Sequence, residues 1–272
     1  MLLRPVPNIG LLVFAIFVTF SYVFAYDIKT KKEPQGPLKV ALDRAFALSF
    51  GAPEDSNGPR SWLFTSHLTF KDDVEDIGDG ILWGIALNAT KEMEEERKQY
   101  EIGIRAVPNA MTILAWDKEI ILASSMKGRL SFSYQQPTTS PVRQTLELCQ
   151  MSWVSEYKDT KEEGHRTEAK CGEPMAAHLY YSSGPNLRLL NETNARIATW
   201  VRKAGDRPWE RTNPCMEDEA SEHRWGCTRF VKEEKLRVVD RGIHEEDYDL
   251  KKLAGGPVHI DQIQLCSMPE GT

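Results

Sequence analysis

The sequence predicts an α/β domain of three layers, with a mixed central sheet and helices on both faces. Three observations carry this. A hairpin pattern occupies the middle of the chain, helical patterns stand before and after it, and short β-rich runs return near residues 197 and 236. At 272 residues the chain is long enough to fill one core. Its 41% hydrophobic and 27% charged content is that of a globular protein. A net charge of -6 provides no broad cationic field and no strong nucleic-acid-binding signal.

Residues 1–25 read as a signal peptide or a signal anchor: Arg4 precedes an apolar run over 9–25, and Val23 and Ala25 fit a cleavage site. Cleavage gives a secreted protein. The alternative is a single-pass membrane anchor, because the run is close to the length of a membrane span and Lys29, Lys31 and Lys32 follow it. Two sequons, at Asn88 and Asn191, agree with a glycoprotein of the secretory pathway. Residues 26–60 read as a linker and N-terminal extension, with helical spacing over 40–50, and residues 61–272 as a single globular domain.

Within that domain, Leu82, Ile85, Ala86, Ala89 and Met93 make the apolar stripe of a helix over 80–105, whose charged residues 94–98 form a solvated face. Residues 111–116 and 119–124 are β-rich runs separated by Asp117-Lys118, close enough to pair antiparallel. Residues 131–170 read as an insertion holding a helix over 142–154. The run 171–181 suits a helix with Pro174 in its first turn, where a missing N–H costs least. Strands over 197–201 and 236–239 flank a loop from Pro214-Cys215 to Gly226-Cys227.

Phosphate-cradling Gly-rich loops and serine-nucleophile elbows are missing from the sequence, and the six histidines have no paired spacing that suggests a His-rich metal centre. Tryptophans 116, 153, 200, 209 and 225 read as core before they read as platforms for a flat base. What stands out is Cys171-Gly172-Glu173 opening a helix after the hairpin, then a strand, then Pro214-Cys215 and a second cysteine, Cys227.

This order resembles the zinc-dependent cytidine deaminase-like superfamily, whose pattern is a His-x-Glu or Cys-x-Glu helix start followed by Pro-Cys and another cysteine. The match spans about half the chain, residues 108–240. It departs from the family in that eleven residues, not two, separate Cys215 from Cys227. The resemblance implies Zn²⁺ held by Cys171, Cys215 and Cys227 with one coordination position open to water, and Glu173 as the proton shuttle in hydrolytic deamination of a nucleobase or another amine. Thiolates at helix N-termini are stabilised by free N–H groups and the helix dipole, which suits them to bind a cation.

Five cysteines cannot all pair. Three ligands and a Cys149–Cys266 disulfide would use them all. The alternative is a non-catalytic, disulfide-stabilised secreted glycoprotein that binds a partner, with Cys215 and Cys227 closing a surface loop and Glu173 serving only the helix dipole. The small molecule or protein partner is left open by both readings, and a membrane is implied only if residues 1–25 stay attached.

Overall fold

The computed structural model describes residues 28, 30–50, 60–157, 164–184, 187–203, 207–216 and 224–268. The leader read at residues 1–25 lies outside them. In chain order the elements are β1 (Ala41–Leu42), α1 (Arg44–Ser49), β2 (Phe64–Phe70), α2 (Asp79–Gln99), β3 (Ala110–Trp116), β4 (Glu119–Ser124), α3 (Phe132–Gln135), α4 (Pro141–Glu156), α5 (Gly172–Ser182), β5 (Arg196–Val201), β6 (Glu210–Thr212), α6 (Cys227–Glu233), β7 (Arg237–Val238) and β8 (Pro257–Asp261). The hairpin and the helices expected over 80–105, 142–154 and 171–181 are present, the first ending at Gln99, whereas α6 was not expected. The helix expected over 40–50 starts only at Arg44, because Asp43 accepts the Phe46 N–H at 2.9 Å and caps it there.

The eight strands form one open sheet in the order β1-β2-β4-β3-β5-β6, with β8 also on β2 and β7 also on β5. Every pairing is antiparallel except that of β5 with β7, which is parallel. Successive strand side chains point to opposite faces. Met111, Ile113 and Ala115 accordingly join one apolar cluster with Leu82, Trp83, Ile85, Ala86 and Met93 of α2. Leu114 and Trp116 join a second with Leu146 of α4, Met175 and Leu179 of α5 and Phe230 of α6. Trp116, Trp153, Trp200 and Trp225 are all buried. No helix of the described residues is long and apolar enough to cross a membrane.

Residues 38–46 belong to the packed fold: Leu38, Val40, Leu42 and Phe46 are buried. Their backbone lies along α2, where two carboxylates one turn apart stand in for a neighbouring strand. Glu92 accepts the N–H groups of Leu38 (2.9 Å) and Val40 (3.1 Å), and Glu96 that of Leu42 (3.2 Å). Glu96 is therefore buried instead of sharing a solvated face. Burial pushes its carboxyl up to about 7, and that of Asp43 to about 6. A carboxyl raised on folding favours the native state below its unfolded pKa, and that contribution is lost as pH climbs through the folded one. Glu96→Gln should thus gain on the unmodified protein by on the order of 2 kcal/mol between about pH 4.5 and pH 8, read from urea unfolding at the two pH values. A pH-independent difference would remove Glu96 as the source.

The sequon asparagines sit differently from each other. Asn88 is inside α2, its amide donating to the Tyr248 hydroxyl at 3.2 Å, with Thr90 fully buried behind it. Asn191 lies half-buried in a single 3₁₀ turn, Leu190–Glu192.

Candidate metal centre

Three loops converge at the edge of the second apolar cluster. Cys171 is the N-cap of α5, held down because Gly172 rests on Thr112 of β3, where any side chain would collide. Cys227 is the first residue of α6, and Cys215 follows β6. The eleven residues between these two cysteines in sequence do not keep them apart: the Cys227 N–H donates to Cys215 Sγ at 3.1 Å. Gly226 permits that approach, since a Cβ there would strike the Cys215 carbonyl.

The sulfurs of Cys171 and Cys215 are 3.8 Å apart. This is the edge of a tetrahedron with metal–sulfur bonds of about 2.3 Å. The three expected cysteines are joined by one residue that sequence spacing did not select, His165, whose Nε2 lies 3.2 Å from Cys227 Sγ and 4.0 Å from Cys215 Sγ. All four donor atoms fall within 4.8 Å of one another, a group that could hold a metal ion. The charges ask for one. Hydrogen bonds from Cys171, and then from Cys227 and His165, push the Cys215 thiol far below its ordinary range. Cys171 is pushed up first by its hydrogen bond to Cys215, and Cys227 first by burial. A divalent ion would stabilise all three as thiolates.

The four donors are not equivalent. Glu168 and Ala169 adopt left-handed φ values of 54° and 53°, curling the chain back over the imidazole. The backbone N–H groups of Thr167 and Ala169 both donate to His165 Nδ1 at 3.2 Å. With Nδ1 an acceptor, the neutral ring carries its proton on Nε2, the atom that faces the sulfurs. A metal-bound imidazole requires the reverse, Nε2 bare and Nδ1–H donating outward. The ring also meets Trp225 edge-on at 4.8 Å between centroids, so it has little room to turn over. In this arrangement His165 Nε2 faces the sulfurs as a hydrogen-bond donor, within the same group of four donor atoms that could hold a metal ion.

Beside them Glu173, in the first turn of α5, is buried and pushed up to about 7, chiefly by burial and next by the charge of Cys215. Thr199 of β5 donates to its Oε1 at 3.2 Å, and Thr112, paired with Thr199 across the strands, supports that hydroxyl at 2.8 Å. Cys171, Cys215 and Glu173 all line a cavity of about 730 Å³. His165 and Cys227 are buried behind its wall.

The other two cysteines take no part. No pair of cysteines lies at bonding distance, and the expected Cys149–Cys266 disulfide is not formed. Cys149 instead packs as a small hydrophobe in the second cluster, where burial pushes its thiol up to about 12, and Cys266 lies half-buried against the same cluster. No protein family, curated protein or solved structure matches the chain.

Proposed function

We propose that this protein is a zinc-dependent hydrolase with a deaminase-like three-layer fold, replacing the amine of a flat, amine-bearing ring by oxygen and releasing ammonia. The observation that carries this reading is the acceptor role of His165 Nδ1, beside a cavity lined by Cys171, Cys215 and Glu173: with the imidazole donating to the thiolates, three cysteines would be the ligands and one coordination position would be left to water. A structural site of four protein donors has no such position, and has no need of a buried carboxyl at the cavity wall. The order of the elements supports the fold: a hairpin, a helix opened by Cys171 and Glu173, a strand, and a helix opened by Cys227 leading to a strand parallel to that one.

A zinc ion held by Cys171, Cys215 and Cys227 would supply Lewis acidity at that position. The chain supplies the rest. Glu173, poised near neutrality, takes a proton from the attacking water and returns it to the departing amine. The Thr199 hydroxyl donates to Oε1 and orients the carboxyl. Glu173→Gln should keep one zinc per chain under reducing conditions while ammonia release from a panel of amino-bearing bases and nucleosides falls about 100-fold or more. A protein without stoichiometric zinc, or a variant as active as its parent, would sink the reading.

A further inference from the structure

We infer that the substrate is anionic, a nucleoside monophosphate whose phosphate sits at the mouth of the cavity; this rests on the hydrolase reading. The chain carries a net charge of -6, yet the cavity lining reverses that sign. Among the described residues it has four cations, Lys127, Arg166, Lys170 and Arg241, against one carboxylate, Glu173, which is buried beside Cys171 and Cys215.

The cations divide into two kinds. Lys170 is engaged, bonded to the Arg129 carbonyl at 3.0 Å and to Glu168 at 2.7 Å, and Arg166 holds the Met216 carbonyl at 2.9 Å. These two shape the wall. Lys127 and Arg241 are exposed, and among the described residues neither forms an ion pair. One lies just beyond β4 and the other just beyond β7, and both line the cavity. Two long cationic side chains lining one cavity, neither held in an ion pair among the described residues, match a phosphate, whose oxygens accept from both.

Size agrees with this assignment. About 730 Å³ lies within the range of roughly 300–1,000 Å³ that encloses a drug-sized ligand, so the cavity has room for a sugar phosphate besides the ring. The same ring in a single-stranded nucleic acid would bring several phosphates and call for a basic track beyond the cavity, whereas Lys127 and Arg241 supply cations for one phosphate.

The experiment compares cytidine, adenosine and guanosine with their 5′-monophosphates, and with a short single-stranded oligonucleotide, by calorimetric binding to the zinc-loaded full chain and by ammonia release. At about 30 mM salt a monophosphate should bind about tenfold or more tighter than its nucleoside, and the preference should shrink at about 300 mM. The double variant Lys127→Glu/Arg241→Glu should lose the preference and leave nucleoside affinity unchanged. Equal affinities, a preference that survives charge reversal, or tighter binding of the oligonucleotide would overturn the inference. Residues 217–223 carry four acids just after Met216, so a preference for neutral over phosphorylated ligands is a fourth overturning result. The two claims fail separately: turnover of nucleosides without preference for phosphate refutes only this inference, while phosphate-dependent binding without ammonia release refutes only the hydrolase reading.

Discussion

Cys227→Ser is expected to abolish stoichiometric metal binding and to lower stability by about 4 kcal/mol, the amount by which a ligand at a thousand times its Kd stabilises a fold. His165→Gln is expected to keep the metal. The contrast follows from the roles of the two side chains. Cys227 is fully buried at the start of α6, so no water or neighbouring oxygen can take its place. With the ion gone, the segments carrying Cys171, Cys215 and residue 227 lose the link that would tie them to one another. Glutamine at position 165 still presents an N–H to the sulfurs from nearly the same point. His165→Ala, which removes that donor, should weaken metal affinity by about 10–100-fold, as loss of an outer-shell partner does. Zinc quantitation, with thermal melts before and after chelation, reads all three variants. The parent and His165→Gln should be destabilised by chelator and Cys227→Ser should not respond. If His165→Gln loses zinc as completely as Cys227→Ser, the imidazole is a fourth ligand and the site is closed.

Cys171 and Glu173 were legible because helix starts are marked in sequence. Cys171 and Glu173 announce α5 through Pro174 and the apolar run that follows, and the hairpin announces itself through the short Asp117-Lys118 turn between β-rich runs. His165 was hidden for a physical reason. Its position is set by a curled loop and not by helical or strand periodicity, and the signal was only a histidine six residues ahead of a helix-capping cysteine. β2 escaped because it is a central strand with polar residues inside. Thr65 and Ser66 are buried, and the Ser66 hydroxyl donates to the Leu38 carbonyl, a partner that only the folded extension provides. β8 escaped because its outer position leaves Val258 and His259 in solvent, without a buried face to alternate. Glu96 is the opposite case: a charge run reads as solvated until another segment of backbone arrives to use the carboxylate.

Trp83→Ala should be the most damaging single change on the other face of the sheet, costing about 3–5 kcal/mol, the range for emptying a buried aromatic site. Trp83 is completely buried on α2 and meets Trp200 of β5 edge-on at 5.8 Å, in the arrangement that ring quadrupoles favour. Its indole N–H donates to the Asp240 carbonyl at 3.1 Å, and its own carbonyl accepts from the Trp200 indole at 3.0 Å. This anchor reaches the cavity, since Asp240 is the residue before Arg241. Trp83→Phe separates the two contributions: most of the volume stays, but the Asp240 carbonyl loses its donor, at about 1–3 kcal/mol. Trp153 provides the control. It is as deeply buried on α4, yet its indole nitrogen has no hydrogen-bond partner among the described residues, so Trp153→Phe should cost less than Trp83→Phe. Urea unfolding of the three variants ranks them. If Trp153→Phe is the costlier of the two phenylalanine changes, packing volume and not the bond to Asp240 sets the price, and Arg241 is then positioned by something other than Trp83.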